Sequence, residues 1–200
     1  MKAAIQDRYG TPDVVRIEDV EMPTQGEGEI LVRVHAASVN RADLDGVQPR
    51  PAFVRLIIGL RAPRNPRVGI DVAGTVEAVG PGATRFKPGD AVFADLFGRR
   101  FGAFAEYTVA PESAFEPMPL GMSFEEAATL PHSAILALQG LRTRSGRTVQ
   151  PGDRVLIVGA SGNVGPFAVQ VAKDGSLLVD EDITYAFSGQ FSGGYRDVPL

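Results

Sequence analysis

Apolar and polar positions alternate along "EILVRVHAASV" (29–39), and a period of two predicts a half-buried β-strand. "DVAGTVEAVG" (71–80), "DAVFADLF" (90–97) and "AFAEYTVA" (103–110) give further β-rich segments, with the turn signals "GPGAT" and "FKPGD" between them. Short strands at this spacing predict an antiparallel barrel or sandwich rather than alternating strands and helices. "PAFVRLIIGLRAP" (51–63) reads as one helix that Pro63 ends.

The pattern changes near residue 120. "GMSFEEAATLPHSAILALQGL" (121–141) opens on Ser123, an N-cap whose capping-box partner is Glu126. Helical spacing follows, and Pro131 divides it into two helices. "QPGDRVLIVGA" (150–160) is a turn and then an unbroken apolar run, the pattern of a parallel-sheet strand buried on both faces. "VGPFAVQVAK" (164–173) is the helix after it, with Pro166 in the first turn, where a missing N–H costs nothing. The chain is thus β-rich first and α/β second.

Composition narrows the chemistry. There is no cysteine among the 200 residues, which removes disulfides, thiolate metal sites and a thiol nucleophile. His35 and His132 are the two histidines, too few for a His-rich metal centre. The net charge of −4 resides entirely in the last 27 residues, which hold one arginine and five acids. The basic segment "RLIIGLRAPRNPR" (55–67) has no interleaved aromatics for stacking bases, so it reads as a solvated loop and nucleic acid is not an expected partner. No stretch reaches the ~18 apolar residues of a membrane span and the N-terminus has no signal-peptide run, so a soluble, cytoplasmic protein is expected.

The glycine turn carries the most specific chemistry. In "GASGNVG", Gly159, Gly162 and Gly165 are spaced three apart between the apolar run and the helix, the context in which such a trio binds a dinucleotide. A pyrophosphate can approach the main chain at Gly162, Gly165 allows close helix packing, and the helix start supplies N–H groups around Val164. Ser161 and Asn163 add side-chain donors. A tight structural turn without a ligand is the alternative. Asp180, 21 positions after Gly159 in "SLLVDEDI", can serve as the acid that holds the ribose hydroxyls, or belong to a solvated acidic turn.

From residue 1 to 173 the chain resembles the zinc-free, quinone-oxidoreductase-like branch of the medium-chain dehydrogenase/reductase superfamily. The matching stretches are "MKAAIQDRYGTPDVVRIEDVEMPTQGEGEILVRVHAASVNRADL", "GIDVAGTVEAVGPGATRFKPGDAVF", "GAFAEYTVA", "SFEEAATLP" and "VLIVGASGNVGPFAVQVAK", in the family's order. The resemblance implies a β-rich GroES-like barrel domain (1–122), then a partial α/β Rossmann segment (123–173) and an atypical tail (174–200). It implies an NADPH- or NADH-dependent oxidoreductase that delivers hydride to a quinone, an enone or a related small carbonyl compound. Where the zinc-dependent branch carries Gly-His-Glu this chain has Gly69, Ile70 and Asp71, and Asn40 stands where a cysteine ligand is expected, so no metal is implied. By the resemblance Asn40 lies beside the nicotinamide and can donate to a substrate oxygen that gains charge. Asp43 orients the same loop, while ordinary Asx-turn chemistry is the alternative for both.

Two departures matter. The family's threonine near the nicotinamide carboxamide is Leu136 here, with Ser133 one turn away, and the tail after Lys173 does not resemble the family's continuation. A Rossmann domain needs about six strands, so the sequence reads as C-terminally truncated. A lone parallel strand would leave its backbone groups and apolar faces uncovered unless "ITYAF" (183–187) or another chain completed the sheet. Family members often dimerise through that sheet's edge, so a homodimer is open. The competing reading is a non-catalytic β-barrel interaction module, or an inactive remnant of such an enzyme.

Overall fold

The computed structural model describes residues 1–49, 52–99, 101–142, 149–150 and 153–174. Strands β1 (Lys2–Ile5) and β2 (Arg16–Asp19) form an antiparallel pair. A five-stranded antiparallel sheet is built from β3 (Glu29–Ser38), β4 (Asp71–Val79), β5 (Ala91–Asp95), β6 (Tyr107–Pro111) and β7 (Phe115–Pro117) in the order β6-β3-β4-β5-β7. Isolated bridges Ala3–Ala105 and Ile5–Arg67 dock the small pair onto the larger body.

The two faces of the sheet follow from the pleat, which sends alternate side chains to opposite sides. Ile30 and Val32 of β3, Val72 and Val76 of β4, and Val92 and Ala94 of β5 share one face and pack with Leu96, Ala103, Ala110 and Phe115 into the main core. Gly74 interrupts this row because a Cβ there would lie 2.1 Å from the Arg33 carbonyl oxygen across the ladder. Two register shifts in β3, at Leu31/Val32 and Val34/Ala36, are bulges that bend the strand. The opposite face carries Ala73 and Phe93, and the alanines Ala127 and Ala128 seat a helix on it.

That helix, α3 (Phe124–Ala128), starts as its sequence predicts. The Ser123 hydroxyl accepts from the Glu126 amide at 3.2 Å, and the Glu126 carboxylate accepts from the Ser123 amide at 2.9 Å. His35 of β3 stacks on Phe124 with ring centroids 4.3 Å apart. Pro131 begins the next helix, α4 (Pro131–Gly140), as its first residue. Ser123→Ala is expected to cost about 1 kcal/mol of stability, read as a lower urea midpoint at unchanged slope.

Three expectations are corrected. The helix expected over 51–63 is a short α-helix, Arg55–Ile58, after a 3-10 turn at Ala52–Val54. Gly59 ends it, with φ +133 and no room for a Cβ, which would lie 2.0 Å from the Ala62 carbonyl oxygen. Two helical segments thus precede the main α3–α4 pair, Arg41–Val47 (α1) and Arg55–Ile58 (α2). The strand expected over 154–159 pairs with no other strand among the described residues, and Leu156 and Val158 are 83% and 89% exposed. An apolar run becomes a strand only beside neighbours that take up its hydrogen bonds. The basic stretch 55–67 is not simply a solvated loop, since Arg64 and Arg67 line a cavity. Helix α5 (Gly165–Asp174) does form after the glycine turn and packs against α4.

Candidate functional site

Register places three polar residues side by side across the sheet. Ser38 at the end of β3 pairs with Asp71 at the start of β4, and Asp71 pairs with Asp95 at the end of β5. Two aspartates directly opposite on adjacent strands repel and would weaken the sheet unless other groups compensate. Compensation comes from two elements. From α1, the N-cap Asn40 donates its side-chain amide to Asp71 Oδ2 at 3.0 Å and to Ser38 Oγ at 3.2 Å. From α4, the His132 backbone N–H donates to Asp71 at 3.1 Å, and the His132 ring Nδ1 lies 2.9 Å from Asp95 Oδ2. Asp95 also accepts the Phe97 amide at 2.7 Å through its other oxygen.

Asp71 is fully buried. Burial pushes its carboxyl up to about 7 against the hydrogen bond from Asn40, with the Asp95 charge adding to the rise and His132 opposing it. Asp43, one turn into α1, is buried too and accepts the Asn40 backbone N–H at 2.8 Å. Burial raises it to about 6, opposed by that backbone N–H, by His132 and by the Ile70 backbone. Asp43 Oδ1 and Gln6 Oε1 are buried and have no hydrogen-bond partner among the described residues.

Both residues line a cavity of about 690 Å³ whose walls include Ala42, Ile58, Pro66, Val68, Phe97 and Phe101. An apolar cleft of this size with a few convergent polar groups is the usual form of a small-molecule site. Gly69, with φ +98, brings the chain against Phe104, and the backbone atoms of that loop close one side of the cavity.

The glycine turn forms a second candidate site. Ser161, Gly162 and Asn163 are exposed, so no side chain plugs the bend. Gly159 takes φ +80 with open space where a Cβ would be, whereas a Cβ on Gly165 would lie 2.1 Å from the Ala160 carbonyl oxygen. The Gly162 and Gly165 amides are spent within the turn, on Gly159 O at 2.9 Å and Gly162 O at 3.1 Å. Donors to a phosphate therefore have to come from the Ser161 and Asn163 side chains and the remaining amides around Val164. Asp180 lies outside the described residues.

Asn40 and Asp43 are brought together as the sequence suggests, but both hydrogens of the Asn40 amide point inward to Asp71 and Ser38. Sequence reasoning missed Asp71, Asp95 and Gln6 as partners. The signal was present in "GIDVAG" and "FADLF", acids set within apolar strand runs, since a buried acid demands partners. Leu136 is 40% exposed on α4, and Ser133 is buried. His132 ties α4 to two strands, its backbone N–H donating to Asp71 and its ring Nδ1 lying against Asp95.

The alcohol dehydrogenase GroES-like domain matches residues 26–120. A zinc-type alcohol dehydrogenase-like protein of Schizosaccharomyces pombe is 34% identical over 194 residues, covering 86% of this chain and 53% of its own length. The structure of the quinone oxidoreductase from Coxiella burnetii superposes with a TM-score of 0.74 at 30% identity, over 90% of this chain and 55% of that one. A mycobacterial protein solved in complex with NADPH gives a TM-score of 0.71 at 31% identity, over 90% of this chain and 52% of that one. The chain spans about half the length of the curated relatives it matches. Residues 26–120 thus carry an alcohol dehydrogenase GroES-like domain, and the chain is similar to zinc-type alcohol dehydrogenase-like proteins and quinone oxidoreductases over about half of their length.

Proposed function

We propose that this chain carries the substrate-side domain and the first phosphate-binding turn of an NAD(P)H-dependent oxidoreductase acting on a quinone, an enone or a related carbonyl compound. The observation that carries the reading is the largely apolar cavity that Asp43 and Gln6 help to line, beside the Asn40–Asp71 network. The relatives' names support the reaction class, and the NADPH complex of a structural neighbour supports the cofactor. We place the domain boundary at residue 122, supported by a family match that ends at 120. A cytoplasmic location is part of the same reading, and no helix among the described residues is long and apolar enough to cross a membrane.

When bound, a reduced nicotinamide supplies a hydride, and the protein's own task is to hold and orient the acceptor and exclude water. Ser161, Asn163 and the amides around Val164 at the start of α5 would hold the cofactor's pyrophosphate, and the exposed, side-chain-free Gly162 leaves the bend open to it. The aliphatic and aromatic walls grip a flat apolar body, while Asn40, drawn inward by Asp71, fixes the N-terminus of α1 and with it Asp43. The reading needs no metal: Asp71 already accepts hydrogen bonds from Asn40, Ser38 and His132.

The test is fluorescence titration of the full chain with NADPH. Saturable binding is expected, and Gly165→Val, which drives a side chain into the Ala160 carbonyl, is expected to weaken it at least about tenfold. Absence of saturation up to millimolar NADPH would instead favour the interaction-module reading, to which the exposed Leu156 and Val158 lend themselves.

A further inference from the structure

Between Asp45 and Asp71 the chain carries five arginines and no acid. Four of them, Arg55, Arg61, Arg64 and Arg67, lie among the described residues, and none of the four makes an ion pair there. Elsewhere the arginines are matched: Arg16, Arg33, Arg41 and Arg85 each meet a carboxylate. A single cation in water needs no partner, but cations gathered in one place repel one another, and an anion that joins them relieves the repulsion.

Arg55 and Arg64 gather at Tyr9. The Arg55 guanidinium carbon lies 5.1 Å from the Tyr9 ring centroid, and the Tyr9 hydroxyl donates to the Gly59 carbonyl at 2.6 Å. Burial pushes that hydroxyl up, and the charges of Arg55 and Arg64 both oppose the rise. Arg64 and Arg67 line the cavity of about 690 Å³. Arg67 is tied down by its backbone, which bridges Ile5 and donates to Asn65 Oδ1 at 3.1 Å, while the neighbouring Pro66 carbonyl accepts from the Gln6 amide at 2.8 Å. The Arg67 stem runs along Gly102, where φ is +113 and a Cβ would lie 3.3 Å from Arg67 Cδ. The guanidinium beyond that stem has no hydrogen-bond partner among the described residues and is not closed off from outside. Asp43, the one acid in the cavity wall among those residues, does not serve these cations: its Oδ1 is closed off and its Oδ2 takes the Asn40 N–H.

We propose that this cavity takes an acceptor with an apolar body and an anionic group, a carboxylate or a phosphate, and that Arg64 and Arg67 bind that group. The inference rests on the oxidoreductase reading and deepens it by naming the acceptor's charge. The body lies against Ile58, Val68, Phe97 and Phe101. A guanidinium presents parallel N–H donors that match two oxygens of either anion. Arg55 adds positive potential beside Tyr9 that steers the anion towards the site.

The test needs no cofactor, so its failure leaves the NADPH titration standing, and the reverse holds as well. Calorimetry on the full chain at pH 7.5 and low salt compares 4-ethylbenzoate, 4-ethylphenyl phosphate, the neutral 4-ethylbenzamide and acetate. The better of the two aromatic anions is expected to bind about tenfold or more tightly than the amide, and it names the acceptor's group. Acetate, which lacks the apolar body, is expected to bind about tenfold or more weakly than the benzoate. Arg64→Gln and Arg67→Gln are each expected to cut the anion's advantage to about threefold or less, with the amide's affinity held within about twofold. Arg33→Gln removes the same charge from β3, outside the cavity wall, and keeps the advantage. Equal binding of the anions and the amide in the wild-type chain overturns the proposal. An advantage that survives both Arg64→Gln and Arg67→Gln places the anion elsewhere, and one lost equally in Arg33→Gln is an effect of net charge; either overturns it as well.

Discussion

Phe115→Ala is expected to lower the unfolding free energy by about 3–5 kcal/mol, the largest loss from any single truncation in this chain. Phe115 is the largest fully buried side chain among the described residues and opens β7, the edge strand that pairs with β5. Its ring packs in the main core with Ile30, Val32 and Leu96, which come from β3 and the end of β5. Truncation removes both the burial and the contacts of the atoms around the void, and a strand of three residues has little else to hold it. The Phe115 carbonyl also accepts from Arg85 at 3.2 Å, so release of β7 would loosen the turn before β5 as well. The melting temperature is expected to fall by roughly 10 °C, while Phe115→Leu, which keeps most of the volume, should cost less than about 1.5 kcal/mol. A Phe115→Ala chain that melts within a degree or two of the wild type would remove β7 from the core described above.

The sheet was legible in the sequence where alternation was clean. Alternation marks β3, and β4 and β5 stand in the β-rich runs that the turn signals bound. The β1–β2 pair was not legible, because β2 ("RIED") is largely exposed and Lys2–Asp19, an ion pair at 2.7 Å, is a tertiary partner rather than a local pattern. Helix starts were legible because the cap of α3 lies within four residues of chain, from Ser123 to Glu126. The 51–63 segment misled because its apolar content resembles a helix, whereas its end is decided by one glycine's backbone at Gly59. In the 154–159 run, composition reports which neighbours a strand would need, and says nothing of their presence.

The candidate site divides along the same line. Asn40 and Asp43 are three residues apart and fall on one helix start, so their meeting is local and readable. Asp71, Asp95 and His132 meet only through strand register and the docking of α4, with hydrogen-bonded partners 31, 37 and 61 residues apart. Gln6 reaches α1 across 40 residues. No spacing rule finds such contacts, although an acid inside an apolar strand does announce that a partner exists.

Acidification from pH 8 to pH 5.5 is expected to stabilise the fold, opposite in sign to the behaviour of salt-bridged surface acids. Asp71 and Asp43 have folded-state values of about 7 and about 6, above their ordinary 3.8. A raised carboxyl contributes stability that is complete below the unfolded value and is lost as pH rises through the folded one. Between about pH 4 and pH 7 the folded chain therefore binds more protons than the unfolded chain at these two sites. The acids held below their ordinary range, Asp7 by the hydrogen bond from Arg16, Asp13 by Thr11 and Glu126 by the Ser123 backbone, act only at lower pH, where their loss brings stability down again. The pair should add on the order of 2 kcal/mol at pH 5.5 relative to pH 8, which raises the melting temperature by roughly 5 °C. Asp71→Asn keeps the shape but cannot ionise, and it gives up one hydrogen bond because its –NH2 faces donors from Asn40 and His132. Its absolute stability is therefore expected to drop at acid pH, while its slope between pH 8 and pH 5.5 falls to less than half that of the wild type. Thermal melts at half-unit intervals read both quantities. A wild-type melting temperature that is flat or falling over that interval would show that the two carboxyls ionise as freely inside the fold as outside it, and the Asp71–Asn40–Asp43 network would then be hydrated rather than buried.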